Sequence, residues 1–245
     1  YPIILYAGAA VVQEDAPPED QVRLLLHKAE FAQKHAVKKY QNVLAFYDRA
    51  MHRKENFQNS IESSMQSALA KQEFQLFLQP KVRLQTGQVD GAEALVRWIR
   101  PDETLVYPNE FIPAFEKNGF CARLDLYMVD RTCSQLREWI DAGYEPICIS
   151  VNQSRLLFYQ SDYVDRLCSI LPRYGIPNGF IQLEILEGLA IENIEQMNKT
   201  LTQLHEKGFR LSLDDFGSGY SSLNVLAGIA ASAHKMSNDI RLLQH

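Results

Sequence analysis

Apolar and polar positions alternate with two different periods along this chain. Ile3 to Val12 is apolar and small, the composition of a strand. From Glu19 to Lys39, Val22, Leu25, Leu26, Ala29 and Ala32 recur at three- and four-residue steps, which predicts a helix. Pro18 stands where a first helical turn accepts it. Asn42 to Tyr47 predicts a second short strand. A β-α-β piece of about fifty residues has too little core to stand alone comfortably and reads as part of a larger α/β domain. Asp48 to Lys71 predicts one helix, with Phe57, Ile61, Met65 and Leu69 at four-residue steps. It serves either as a connector packing on a neighbouring domain or as a dimer-forming, signal-transmitting helix.

From Glu73 the pattern changes. Phe74 to Val82 and Val89 to Trp98 predict strands on either side of a tight turn at Gln85-Thr86-Gly87-Gln88. So short a turn cannot hold a parallel crossover, so the two strands should be antiparallel. Helices and strands then alternate: helix around Leu124 to Ala142, strand Ile147 to Asn152, helix Tyr163 to Tyr174, strand Ile181 to Ile185, helix Ile194 to Lys207, strand Phe209 to Asp214. That repetition predicts a parallel sheet or barrel.

Composition narrows the picture. The chain has 245 residues and a mass of 28.0 kDa, enough for one large domain or two modest ones. Its formal net charge is −5, so nothing advertises a nucleic-acid polymer as partner beyond a local basic patch. No apolar run approaches the roughly 20 residues that span a bilayer, and Tyr1 to Ala10 does not read as a signal peptide. The expected setting is cytoplasmic, with any membrane anchor outside this chain. Cys121, Cys133, Cys148 and Cys168 lack CxxC spacing and read as reduced core thiols rather than a disulfide frame or zinc site.

The polar residues of the predicted strands share a parity. Gly91/Glu93, Ser150/Asn152, Gln182/Glu184 and Ser212/Asp214 each sit two apart, between apolar neighbours. Side chains alternate along a strand, so one face meets covering helices and the other carries a polar group, in three of the four cases at or near the strand's C-terminal end. In an α/β barrel that end gathers the catalytic groups. Three carboxylates and an amide in matched register, with Asp215 adjoining, are too costly for a plain core and require a cation. All-oxygen ligation suits Mg²⁺, Mn²⁺ or Ca²⁺. Asp214 and Asp215 can both face the site only where the strand breaks into Phe216-Gly217-Ser218-Gly219-Tyr220. Two ions served by these groups would fit phosphodiester hydrolysis, by activating a water and stabilising the leaving oxygen.

These residues carry a resemblance. AEALVRW around Glu93, FLQP around Gln79, SVNQS around Asn152, LEILE from Leu183 and DDFGSGYSSL from Asp214 resemble, in order, the motifs of the EAL family of cyclic di-GMP phosphodiesterases. The resemblance covers Glu73 to about Leu226. It implies a modified TIM (β/α)8 barrel with an antiparallel first strand. It implies that Glu93, Asn152, Glu184 and Asp214 ligate metal and that Asp215 engages a second metal, Mg²⁺ or Mn²⁺. By the same resemblance Glu187 steadies the loop after the Asp pair, and Gln79 and Arg97 contact substrate. Arg97 is also suited by its own chemistry to hold a phosphate with its charged fork.

The N-terminal piece, AGAAVV followed by LLHKAEFAQKHAVKKYQNVLAFYD, resembles the last third of a GGDEF domain, without the GGDEF signature. The implied organisation is residues 1–49 as the C-terminal part of a degenerate GGDEF-like domain, 50–72 as a linker helix and 73–245 as the EAL domain. A full barrel needs eight strands and at least about 200 residues, whereas 173 remain from Glu73 onward. Two readings follow. Lys235 stands twenty after Asp215, where the family's catalytic Lys belongs. Alternatively, ASAHKM and IRLLQH resemble helices flanking a lost EGVE strand, so that residues are missing after about 229 and near 239. The second is preferred here.

The functional expectation is metal-dependent hydrolysis of cyclic di-GMP to linear pGpG, in a homodimer formed through the EAL domain or the linker helix. The alternative is a receptor that binds cyclic di-GMP without cleaving it. Retention of every ligand position up to Asp215 favours the enzyme.

Overall fold

The computed structural model describes residues 3–11, 18–36, 41–186, 194–214 and 240–242, and divides into two compact units, Tyr1–Ser63 and Ser64–His245. In the first unit, β1 (Tyr6–Ala9) and β2 (Val43–Phe46) pair in parallel, joined through helix α1 (Pro18–His35). Strand β1 is shorter than the Ile3–Val12 run suggests. It finds only four partners in β2, so the flanking Ile3 and Leu5 stay exposed. A Cβ on Gly8 would collide with the backbone of Ala29 in α1, so only glycine lets strand and helix approach this closely. Helix α2 (Arg49–Ala70) contains the division between the units.

The second unit opens with β3 (Phe74–Val82) and β4 (Val89–Ile99), antiparallel as the tight turn requires, with Phe74 opposite Trp98 and Lys81 opposite Gly91. Two elements follow that the periodicity did not reveal. Strand β5 (Leu105–Val106) pairs with the end of β4, and helix α3 (Pro108–Asn118) begins with Pro108 in its first turn. Glu110 caps that turn by accepting the Tyr107 N–H. Helix α4 (Cys121–Asp141), strand β6 (Ile149–Gln153), short helices α5 (Arg155–Phe158) and α6 (Tyr163–Cys168), strand β7 (Ile181–Leu186), helix α7 (Ile194–Glu206) and strand β8 (Arg210–Asp214) complete the alternation. The helix expected over Tyr163–Tyr174 stops at Cys168, and Pro172 opens a separate 3₁₀ turn at Leu171–Tyr174.

Strands β4, β6, β7 and β8 are parallel neighbours in the order β3-β4-β6-β7-β8-β9. Strand β9 (Ile240–Leu242) pairs in parallel with β8, which corrects the helix expected over IRLLQH. Its apolar residues alternate about Arg241, a period of two that a strand accepts. The catalytic Lys235 candidate and the expected breaks after 229 and near 239 lie outside the described residues, apart from Ile240 at one border.

One face of this sheet packs beneath the helices. Phe74, Trp98, Phe111, Phe115 and Phe120 are all buried and form a chain of ring contacts 4.7–6.5 Å apart that ties β3 and β4 to α3 and the start of α4. Trp98 Nε1 donates to Glu73, satisfying the one polar atom in the cluster. Ala92, Ala94, Ile149, Val151, Ile181, Leu183, Ile185 and Leu211 supply the apolar parity of the parallel strands. Cys121 and Cys133 are buried, and burial raises both thiols, Cys133 to about 12. Cys148 and Cys168 are half-buried.

Candidate active site

The opposite parity carries the polar residues. Glu93 lies opposite Gln79 on one side and Ser150 on the other. Asn152 lies opposite Glu184, Glu184 opposite Ser212, and Asp214 opposite Leu186. Glu93, Asn152, Glu184 and Asp214 therefore share one strand parity on four adjacent parallel strands. The register steps by two residues between Glu93 and Asn152 and again between Glu184 and Asp214, a stagger of the kind that tilts strands in a barrel. Gly91 makes the close approach of β4 to β6 possible, because a Cβ there would meet the Cys148 carbonyl at 2.7 Å. The Asp214 side chain, Asp215 and Glu187 lie outside what is described.

Within the described set, Asn152 Nδ2 donates to Glu93 Oε1 at 3.1 Å. Glu184 is buried, 1% exposed, and its carboxylate receives the ammonium of Lys81. Lys81 Nζ also donates to Ser150 Oγ at 2.7 Å. Lys81 is the site residue that the sequence reading missed. The signal was present: the alternation Gln75, Phe77, Gln79, Lys81 puts Lys81 on the same face as Gln79.

Asn152 is braced from behind. Tyr163 donates its hydroxyl to Gln153 Oε1 at 2.9 Å, and Gln153 Nε2 donates to the Asn152 carbonyl at 2.8 Å. Asp125, on α4, accepts the Ser154 N–H at 2.7 Å. Burial pushes the Asp125 carboxyl up to about 7, against the Ser154 N–H bond that favours its ionised form. Asp125 also lines a cavity of about 320 Å³ between β4, α3, α4 and β6. Burial raises the Tyr163 hydroxyl well above its ordinary value, so it stays a donor.

Gln79 is exposed beside Glu93. Arg97 lies one step beyond Leu95 on the Glu93 face. Its guanidinium sits 5.9 Å from the ring centres of both Phe77 and Tyr107, and it donates to the Val96 carbonyl at 2.8 Å. Two flanking rings and a backbone bond limit the rotamers of a long side chain.

The donor set fits a hard divalent cation. Carboxylate oxygens of Glu93 and Glu184 and the amide of Asn152 are hard ligands, and Glu184 already lies against a positive charge. Among the described residues no three His, Cys, Asp or Glu side chains form a cluster able to hold a metal ion; the acids of 214 and 215 are outside that search.

The sequence model of the EAL domain matches residues 62–238. A curated relative, the bifunctional diguanylate cyclase/cyclic di-GMP phosphodiesterase MucR of Pseudomonas aeruginosa, is 33% identical over 221 residues, 90% of this chain and 32% of MucR. Cyclic di-GMP phosphodiesterase NbdA of the same species is 34% identical over 195 residues, 80% of this chain and 25% of NbdA. The solved structure described as PaMucR phosphodiesterase in complex with c-di-GMP superposes with a TM-score of 0.63 at 34% identity, covering 69% of this chain and 68% of that one. This chain belongs to the EAL domain family, and its second unit has that family's TIM-like α/β fold. It spans a quarter to a third of the length of the curated relatives named. No helix among the described residues is long and apolar enough to cross a membrane.

Proposed function

We propose that this domain hydrolyses the second messenger cyclic di-GMP to linear pGpG with the help of two divalent cations, Mg²⁺ or Mn²⁺. The observation that carries the reading is the common parity of Glu93, Asn152, Glu184 and Asp214 on four adjacent parallel strands. The two relatives named as cyclic di-GMP phosphodiesterases support the same substrate.

In this reading Glu93, Asn152, Glu184 and Asp214 hold one cation and Asp215 engages the second. Bound cations supply positive charge to the phosphate oxygens and ease loss of a proton from the attacking water. The protein's own part is positional. Glu93 and Asn152 are held together by their hydrogen bond, and Asn152 is fixed through Gln153 and Tyr163. Arg97, near the Phe77 and Tyr107 rings, and Gln79, beside Glu93, bind the phosphodiester and its flanking groups. Glu187 steadies the loop that follows Asp215.

Residues 1–49 are read as the C-terminal part of a GGDEF-like domain and 50–72 as its linker helix to the EAL domain at 73–245. The parallel β1-α1-β2 unit supports this, as does a match to MucR that is longer than the EAL span. A homodimer through the EAL domain or linker helix, acting on the cytoplasmic side where nucleotide messengers are met, completes the proposal. Hydrolysis is tested chromatographically with purified protein, cyclic di-GMP and either ion. Binding without appearance of pGpG would replace the enzyme with a receptor.

A further inference from the structure

Lys81 reaches from β3 to groups on two other strands, Ser150 on β6 and Glu184 on β7. Glu184 is enclosed, with 1% of its side chain exposed, whereas the Lys81 side chain is 35% exposed. The two partners are therefore unequal in freedom. The carboxylate is fixed in the wall, and the flexible lysine stem can withdraw its ammonium toward solvent. Glu184 lies opposite Asn152 in the sheet and Ser150 lies opposite Glu93, so the Lys81 ammonium occupies one proposed metal ligand and touches the register neighbour of another. An ammonium and a divalent ion both seek the same carboxylate oxygens, and on one carboxylate they repel each other.

We propose that Lys81 is a resident counter-cation for Glu184, which a divalent metal must displace, so that Lys81 sets the affinity of the site for metal. The inference rests on the cation-binding reading given above. It explains how a buried carboxylate keeps a partner before metal arrives: an isolated buried charge is costly, and a hydrogen-bonded ammonium lowers that cost. It also predicts a sign that an ordinary structural ion pair does not. Losing a structural pair should loosen Glu184 and weaken metal binding, whereas losing a competitor should tighten it.

The test is calorimetric titration of the full chain with Mg²⁺ and with Mn²⁺, without nucleotide. Lys81→Gln keeps a donor for Ser150 and removes the charge. It should bind metal about tenfold or more tightly than wild type, following removal of a like-charge repulsion at close range. Its metal-free melting temperature should fall, and saturating metal should narrow the gap to wild type. Lys81→Arg, which keeps the charge, should bind metal as wild type does. Folded Lys81→Gln that binds metal equally or more weakly overturns the proposal. Wild type itself provides a second measurement should Lys81→Gln not fold. The NMR signal of the held Lys81 ammonium, assigned by its loss in Lys81→Arg, should vanish as Mg²⁺ is added, and its persistence at saturation overturns the proposal. Wild type that takes up neither ion overturns the cation reading itself and this proposal with it.

Discussion

Asn152 donates its amide to Glu93 across 3.1 Å and so joins the C-terminal end of β6 to β4. Two potential ligands from strands 59 positions apart in sequence are thereby held together before any ion is bound. Such preorganisation is what electrostatic catalysis draws on.

Shape and charge at this pair can be separated. Glu93→Gln retains an oxygen to accept the Asn152 donor and loses the negative charge. Cyclic di-GMP turnover should fall about 10²-fold or more, the scale of losing a single electrostatic stabiliser, while the thermal midpoint changes little. Rate assays beside melting curves decide it. A variant that hydrolyses at the wild-type rate with limiting Mg²⁺ would remove Glu93 from the ligand set.

Asp125 gives the fold a pH dependence. Its carboxyl ionises near 3.8 when unfolded and near 7 when folded, so between these values the native state keeps a proton that the unfolded chain has released. Stability from the neutral form is fully present below about 3.8 and is lost as pH rises to about 7. The loss is at most about 4 kcal/mol at 1.36 kcal/mol per pKa unit, reduced where the carboxyl opens onto the adjoining cavity. Asp125→Asn still offers an acceptor to the Ser154 N–H. In denaturant unfolding from pH 4 to 8, its stability relative to wild type should rise across this window and level off above it. Parallel curves for the two proteins would show that Asp125 does not titrate with folding.

Arg97 should act on binding more than on turnover. The Phe77 and Tyr107 rings flank its guanidinium, and a lysine ammonium cannot reproduce a planar two-pronged contact with phosphate. Steady-state kinetics should give Arg97→Ala a KM raised about tenfold, with kcat changed less, and Arg97→Lys should recover only part of the loss. The reverse pattern, kcat lost at unchanged KM, would place Arg97 at the reacting phosphate instead.

Much of this architecture was legible because two signals agreed. The short Gln85–Gln88 turn forced an antiparallel β3–β4 pair, and the two-residue spacing of Ser150/Asn152 and Gln182/Glu184 marked the polar parity of β6 and β7. Other parts were hidden for physical reasons. Helix α3 is only eleven residues long with Pro113 inside it, so its apolar period is brief; its clearest signal was Tyr107-Pro108 followed by the capping Glu110. Strand β5 has two residues, too few for any period. Asp125 reads on a helix as one more polar position, because its bond to Ser154 spans 29 residues. Lys81 reads as a solvated strand end until the sheet brings Ser150 and Glu184 beneath it.

The continuity of the C-terminal region is open to a separate check. Peptide mapping of the protein should yield extra peptides that interrupt the chain near 229–231 and 237–240. One unbroken peptide from Leu226 to Arg241 would restore Lys235 as the catalytic candidate.

The most direct measurement is chromatographic detection of pGpG from cyclic di-GMP by wild type and Asp215→Asn, beside calorimetric binding of the nucleotide in Ca²⁺. Wild type should produce pGpG with Mg²⁺ or Mn²⁺ and little with Ca²⁺, whose looser coordination positions water poorly. Asp215→Asn should keep nucleotide binding and lose about 10²-fold or more in kcat, as expected when an interaction made chiefly in the transition state is removed. Wild type that binds cyclic di-GMP yet yields no pGpG with either ion would contradict hydrolysis and leave a receptor.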